Sequence, residues 1–559
     1  MDTKKNKKVI VIGLDGATPE LLFKWAKEGK LPNISKIMSG GSWGNLKSTY
    51  PPQSSAAWTT FFTGTNPGKH GIYHFLRRVP DSYDYAFNNS KDNSATPIWK
   101  IVNNNNKKVG IMQIPLIYPP VEVDGFMVTG LTTPGEASEY TYPKELKKTL
   151  KDRGFRLHNS VPYKENNEKE YLEDLYDTEK RKVAATKFLL KNYDSDLFIV
   201  VFSGSDQMQH YFWKYMDDKH PGHDPARHMQ YKDEILHYYQ TADGWVGDIL
   251  NDIGEDVTVF IMSDHGGGPV YKDVNFNYWF QTLGLQEIKK SRRRKIRHLL
   301  IKKGFTMVRL DAILKELGLL DFARKNVPEI IKKKLLPRGD ALSEIDWSKT
   351  KAFSFGNLGL VYLNVKGRDP QGIVSPGEEY EKLRTFLIEE FLKLKDPENG
   401  TPIVENAFRK EEIYSGPELK NAPDIFVATN MIYREYMRFS NSLVQPLNDV
   451  KNVEQRLRVS GQHRQHGIFI ARGTNIKKNQ FIENAEIVDL ASNILYCMGL
   501  PIPTDMDGKI LSQMFDENYM KENPVLYEEV SVEKEAKYEF SADDEEKVRK
   551  SLKSLGYLD

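Results

Sequence analysis

Four short apolar runs set the limits on what this chain can fold into. "KVIVIGLDG" (8–16), "KVGIMQIPL" (108–116), "DLFIVVFSGSD" (196–206) and "DVTVFIMSDHGGG" (256–268) each pass from continuous apolar residues to polar residues or glycine. Runs of this length with no polar face belong to strands buried on both sides, as in parallel sheets covered by helices. The stretches between them have helical spacing. "TPELLFKWAKEG" places Thr18 as an N-cap and Pro19 at the first helical position. "YLEDLYDTEKRKVAATKFLLKN" and "ARHMQYKDEILHYYQTADGWVGDILND" read as long amphipathic helices. The alternation predicts a doubly wound, mostly parallel α/β sheet, whose ligands sit beyond the carboxyl ends of the strands. Asp15, Asp206 and Asp264 lie there, each following its apolar run.

A length of 559 residues fits two to four domains, or one large domain with insertions. After His265 the texture changes. Residues 1–275 read as the first part of a catalytic α/β core. Residues 276–455 read as an inserted cap, first helical and basic, including "KKSRRRKIRHLLIKKG" (289–304), then α/β with "LGLVYLNVKG" and "PGEEYEKLRTFLIEEFLKL". Residues 456–559 return to the core through "SGQHRQHGIFIARG" and end in a polar helical tail. A net charge of +2 argues against wholesale nucleic-acid binding. The basic run 289–304 is either a solvated helix or a contact for an anionic partner such as acidic lipid or polymer. Cys497 is the single cysteine, so no internal disulfide forms. The apolar run after the basic start ends at Asp15, too short for a signal-peptide core, and no window approaches 18 apolar residues. These features together lead to the expectation of a cytoplasmic protein.

Taken singly, the polar residues at the strand ends have ordinary explanations. Asp15 could cap a turn. Asp206 and His210, four apart, could be a helix cap and a buried histidine. Asp264 and His265 precede three glycines that permit a sharp turn or a close approach, and His463 could be a surface residue. Taken together, three carboxylates and three histidines supply two sets of three N/O ligands, enough for two divalent ions with open positions. Imidazole-rich sites suit zinc, and carboxylates also admit manganese or magnesium. The stretch "PPQSSAAWTTFFTGTNPGKHGI" (51–72) offers a nucleophile: a serine opening a helix there is exposed among free backbone N–H groups that favour phosphate.

These motifs, in this order, resemble the alkaline phosphatase superfamily, in its type I phosphodiesterase and nucleotide pyrophosphatase branch. "VIGLDGATPE", the nucleophile segment ending "TGTNPGKHGI", "SGSDQMQH", "SDHGGG" and "SGQHR" carry the resemblance across nearly the whole chain. It implies one metal on Asp206, His210 and His463. The other would lie on Asp15, Asp264 and His265, with Ser54 as nucleophile and metal ligand and Ser55 as the alternative register. It further implies a two-metal phosphohydrolase that cleaves a small phosphodiester or pyrophosphate substrate through a covalent Ser54 intermediate. The alternatives are a phosphomonoesterase of the same superfamily, or a non-catalytic metal-binding scaffold. The chain departs from the family at Phe75, where nucleotide pyrophosphatases place an asparagine against a phosphoryl oxygen. Arg77, Arg78 or a backbone N–H are the candidates to replace it. Sulfatases require Pro and Arg two and four residues after the nucleophile; Ala56 and Trp58 stand there instead. His466, His70 and His74 are read as structural.

Overall fold

The computed structural model describes residues 8–254, 256–289, 341–436, 442–447, 459–529 and 537–555. The basic run 289–304, beyond Lys289, lies outside the described residues.

All four apolar runs form strands of one sheet. In chain order its main strands are β1 (Val9–Leu14), β2 (Ser42–Lys47), β3 (Val109–Met112), β4 (Gly125–Val128), β5 (Thr141–Tyr142), β6 (Leu197–Phe202) and β7 (Thr258–Met262). A short pair follows, β8 (Gly266–Pro269) and β9 (Gly461–Arg464), and then β10 (His466–Arg472) and β11 (Gln480–Phe481). The spatial order is β11-β2-β10-β7-β1-β6-β3-β4-β5. The five strands β7, β1, β6, β3 and β4 are mutually parallel, and β10 enters antiparallel between β7 and β2.

Strand periodicity explains why the runs are apolar throughout. Ile10, Ile12 and Leu14 of β1 face one core layer, while Val9 and Val11 face the other. β6 divides in the same way, with Phe198, Val200 and Phe202 opposite Leu197, Ile199 and Val201. The first layer is closed by the helices α2 (Glu168–Asn192), α3 (Gly204–Met216) and α4 (Glu234–Asn251). The second is closed by α1 (Ser54–Thr63) and α5 (Asp489–Met498). Burying each of these aliphatic or aromatic side chains contributes about 1.5–3 kcal/mol, which fixes the sheet between its helices.

Several local expectations change. Thr18 occupies the N-cap position of Pro19–Lys27, but its hydroxyl donates to Glu20 and accepts from no backbone N–H of the helix. The stretch expected as one long helix over 226–252 is two, Pro225–Tyr231 and α4, with Asp233 as the N-cap of the second. The glycines after His265 form β8 instead of a sharp turn. Their lack of side chains serves close packing: a Cβ on Gly266 would lie 2.1 Å from the His466 carbonyl oxygen.

Beyond β8 the chain builds a second sheet, Ala352–Ser354, Leu360–Leu363, Ile425–Thr429 and Val404–Arg409, backed by the helix Glu378–Lys393. This layer meets the segment after α1. Ile72 and Phe75 share a core with Phe353, Phe355, Leu360 and Phe426, and Val548 and Leu552 of the C-terminal helix Ala542–Ser554 complete it. Among the described residues, no helix is long and apolar enough to cross a membrane.

Candidate active site

The register of the central strands assembles the site. β1 pairs with β7 from Val9↔Thr258 to Gly13↔Met262, so two further residues bring Asp15 level with Asp264. β1 also pairs with β6 as far as Leu14↔Phe202, and the Asp15 N–H donates to the Phe202 carbonyl at 2.9 Å. The chain then turns into α3, whose first turn carries Asp206 and whose second carries His210 on the same face. Gly16 makes this approach possible. Its φ is +69°, and a Cβ there would lie 2.9 Å from Asp206 Oδ1. His463 arrives from β9, held antiparallel to β8 with His463 opposite Gly267. The 253 residues that separate it from His210 in sequence close to 3.2 Å between the two Nε2 atoms.

Carbonyl oxygens only accept hydrogen bonds, so the backbone sets the tautomer of all three histidines. His210 Nδ1 donates to Gly461 O at 2.8 Å, His463 Nδ1 to Pro52 O at 2.8 Å and His265 Nδ1 to Gly266 O at 2.9 Å. Held this way, each ring turns its Nε2 atom inward, a lone pair whenever the ring is neutral. Those of His210 and His463 then face each other, an arrangement that repels unless a cation lies between them. Asp206 supplies the third corner, with Oδ2 3.3 Å from His210 Nε2 and Oδ1 3.5 Å from His463 Nε2. Donors on a tetrahedral zinc at ~2.0–2.1 Å stand about 3.4 Å apart, so these separations are those of a ligand set.

The second group is built around His265 Nε2, which lies 3.3 Å from Asp264 Oδ2 and 3.7 Å from Asp15 Oδ1. Asp15, Asp206 and His265 also come together within 4.8 Å, so Asp206 borders both groups. Asp15 Oδ1 and Asp264 Oδ2 are buried without a hydrogen-bond partner, which is costly for a carboxylate unless a cation takes the oxygen. Their other oxygens are oriented by the protein. Trp58 Nε1 donates to Asp15 Oδ2 at 3.0 Å, and the Gly16 N–H donates to Asp264 Oδ1 at 3.2 Å. The electrostatics agree. Burial, then the neighbouring Asp264 and Asp206 charges, push the Asp15 carboxyl well above its ordinary range, and burial raises Asp264. Burial also works to raise Asp206, but positive charge at His210, and then at His463, overcomes it and holds the carboxyl low; burial in turn works to lower His210, and the Asp206 charge outweighs it. Burial and the nearby His265 depress His463. The residues present therefore fit divalent cations, with Asp206, His210 and His463 able to hold one and Asp15, Asp264 and His265 another.

Ser54 is the first residue of α1, fully buried, with its Oγ 3.1 Å from His265 Nε2. Its N-cap residue Gln53 makes no side-chain cap, so the first backbone N–H groups of the helix have no capping side chain. Ser55 turns away and donates to Gln53 Oε1 at 3.2 Å. Phe75 is wholly buried. Neither arginine near it is free to take an asparagine's place: Arg77 pairs with Asp92, and Arg78 pairs with Asp369 while lying over Phe353 and Tyr362. His70 pairs with Thr60 and His74 with Asn357, while His466 is exposed outside the cluster. The residues missed in sequence are Trp58, Ser205, whose hydroxyl donates to the Asp15 carbonyl at 2.6 Å, and Asp206 in its double position. Trp58 lies four residues after Ser54 on one helix, a spacing that places both on the face turned to the site.

The family model described as type I phosphodiesterase / nucleotide pyrophosphatase matches residues 9–434. No curated protein matches the chain. Phosphonoacetate hydrolase from Sinorhizobium meliloti 1021, solved with phosphonoformate, shares the fold at TM-score 0.53 and 12% identity, over 88% of this chain and 95% of that one. Human ectonucleotide pyrophosphatase / phosphodiesterase 5 aligns at TM-score 0.46 and 12% identity, over 92% and 99%. The murine protein, solved with AMP, aligns at 0.45 and 14%, over 90% and 97%.

Proposed function

Because the chain belongs to the type I phosphodiesterase / nucleotide pyrophosphatase family of metal-dependent hydrolases, we propose that it cleaves a phosphodiester or pyrophosphate bond through Ser54. The observation that carries the reading is the position of Ser54 Oγ, 3.1 Å from His265 Nε2 at the edge of the Asp/His cluster. Two divalent ions bound there, zinc by the imidazole content and otherwise manganese or magnesium, would supply Lewis-acid charge that acidifies a hydroxyl and offsets phosphoryl charge.

The chain's own residues do the rest. The open N-terminus of α1 presents backbone N–H groups to phosphoryl oxygens. Ser54 Oγ forms a bond to phosphorus as the bond to the leaving-group oxygen breaks, and the serine proton passes by way of solvent to that departing oxygen. Water then attacks the phosphoseryl phosphorus and returns Ser54 as a hydroxyl. Trp58 and the Gly16 N–H keep the Asp15 and Asp264 carboxylates turned inward throughout.

The test is metal content of the purified protein together with turnover of bis-p-nitrophenyl phosphate against p-nitrophenyl phosphate. Two equivalents of metal and a higher kcat/KM on the diester are expected. Preference for the monoester makes the protein a phosphomonoesterase, and metal bound with no turnover of either makes it a scaffold.

A further inference from the structure

A cavity of about 370 Å³ lies beside the Asp/His cluster, at the C-terminal ends of β1, β3 and β6. Asp15 lines it, as do Ser203 and Gln207 on either side of Asp206. Its volume is that of a small-ligand site, and Asp15 is the residue it shares with the cluster.

Two aromatic rings line the cavity, Tyr171 and the half-buried His158. The Tyr171 ring is spent on the core. It is 1% exposed, edge-on to Tyr163 and Tyr211 at 5.4 and 5.6 Å, with its hydroxyl donating to Gln207 Oε1 at 3.0 Å. His158 Nε2 is hydrogen-bonded to the Thr133 carbonyl at 3.0 Å.

What the wall does offer is N–H donors on a lysine whose charge Glu179 balances. Lys182 of α2 lines the cavity at 4% exposure. Its ammonium has three N–H donors, and Glu179 Oε1 at 3.1 Å accepts from one of them. The other Glu179 oxygen accepts from Tyr238 at 3.3 Å. Donors left over on a buried ammonium are expensive unless a further acceptor arrives. A second lysine, Lys550 of the C-terminal helix, also lines the cavity, with a side chain that is 75% exposed and loosely paired to Glu546 at 3.6 Å. Leu131, Leu157 and Val161 supply apolar wall between the two.

We propose that this cavity receives the organic part of the substrate ester, and that this part carries a second anionic group held by Lys182 and met by Lys550. The preferred substrate class is then a phosphate ester whose organic part is compact and carries a carboxylate or a further phosphate. The assignment rests on the hydrolase reading above for its chemistry, but its binding claim can be read separately.

The probes are p-nitrophenyl phenyl phosphate and the same ester with a carboxylate on the phenyl ring, presented to the full-length, metal-loaded protein. The carboxylated ester is expected to show a kcat/KM at least tenfold higher, mostly through KM, and to bind more tightly by calorimetry. In Lys182→Met/Glu179→Gln, which removes the pair together so that no lone carboxylate is buried, the ratio of the two kcat/KM values should fall to within about threefold of one. Lys550→Glu, at an exposed position that folding tolerates, should lower the same ratio severalfold if the double variant does not fold. Equal use of both esters by the unmodified protein, or an unchanged ratio in the variants, overturns the proposal and leaves the hydrolase reading intact. Tighter binding of the carboxylated ester with no turnover of either probe overturns the hydrolase reading and leaves the cavity assignment standing.

Discussion

Ser54 and the three histidines make different demands on the same few ångströms. Ser54 contributes an oxygen and little packing, so Ser54→Ala should lower kcat by about 10³-fold or more while metal content and Tm stay nearly unchanged. Ser55→Ala should retain turnover within a few-fold, because that hydroxyl is occupied by Gln53. Loss of turnover in Ser55→Ala with retention in Ser54→Ala would move the nucleophile by one residue. The histidines act through the ions they can hold. His463→Ala should cost one equivalent of metal and leave Ser54 able to attack, so that a phosphoseryl species accumulates after a short substrate pulse. His265→Ala should lose the attack itself, with no trapped species. Metal stoichiometry and intact-mass spectrometry read both outcomes, and two equivalents with normal turnover in His463→Ala would remove "SGQHR" from the site.

At the scale of elements, the site depends on close approaches that leave no spare space. Trp58→Phe keeps the ring in the core but deletes the donor to Asp15 Oδ2. It should weaken metal affinity by about 10–100-fold with a small change in Tm, measured by competition with a chelator dye. Gly266→Ala forces a Cβ against the His466 carbonyl and should destabilise the protein by about 1–3 kcal/mol in denaturant unfolding, displacing the β8–β9 pair that presents His463. These elements were unevenly legible in the sequence. The parallel strands were, because burial on two faces writes an unbroken apolar run. Asp15, Asp206, Asp264, His210 and His265 followed from strand ends and one helical spacing. The β8 glycines left a sharp turn and a close approach undecided because composition cannot distinguish freedom of φ from absence of a side chain. The contact of His463 with His210 was carried by family resemblance alone, since no local pattern announces a pairing across 253 residues. Lys182 and its cavity were invisible for the same reason, lying within an ordinary charged helix.

For the whole molecule, three buried carboxylates in contact set metal and stability in one balance. Ions that bind only the folded chain add about 4 kcal/mol at a thousandfold excess over Kd. Chelation should therefore lower Tm by several degrees, and stoichiometric zinc or manganese should restore it. An unchanged Tm with metal demonstrably removed would mean that the cluster tolerates its own repulsion. The strand order carries a cost in another setting, that of synthesis. β10 fills the gap between β2 and β7, yet it is encoded about 200 residues after β7 ends. At a ribosomal rate of about 5–20 residues per second, the nascent chain waits about 10–40 s with β7 unpaired along one edge and β2 along both. Such edges invite pairing with other chains. The molecule can seal that seam, and bring in His463, only when most of it has already left the ribosome.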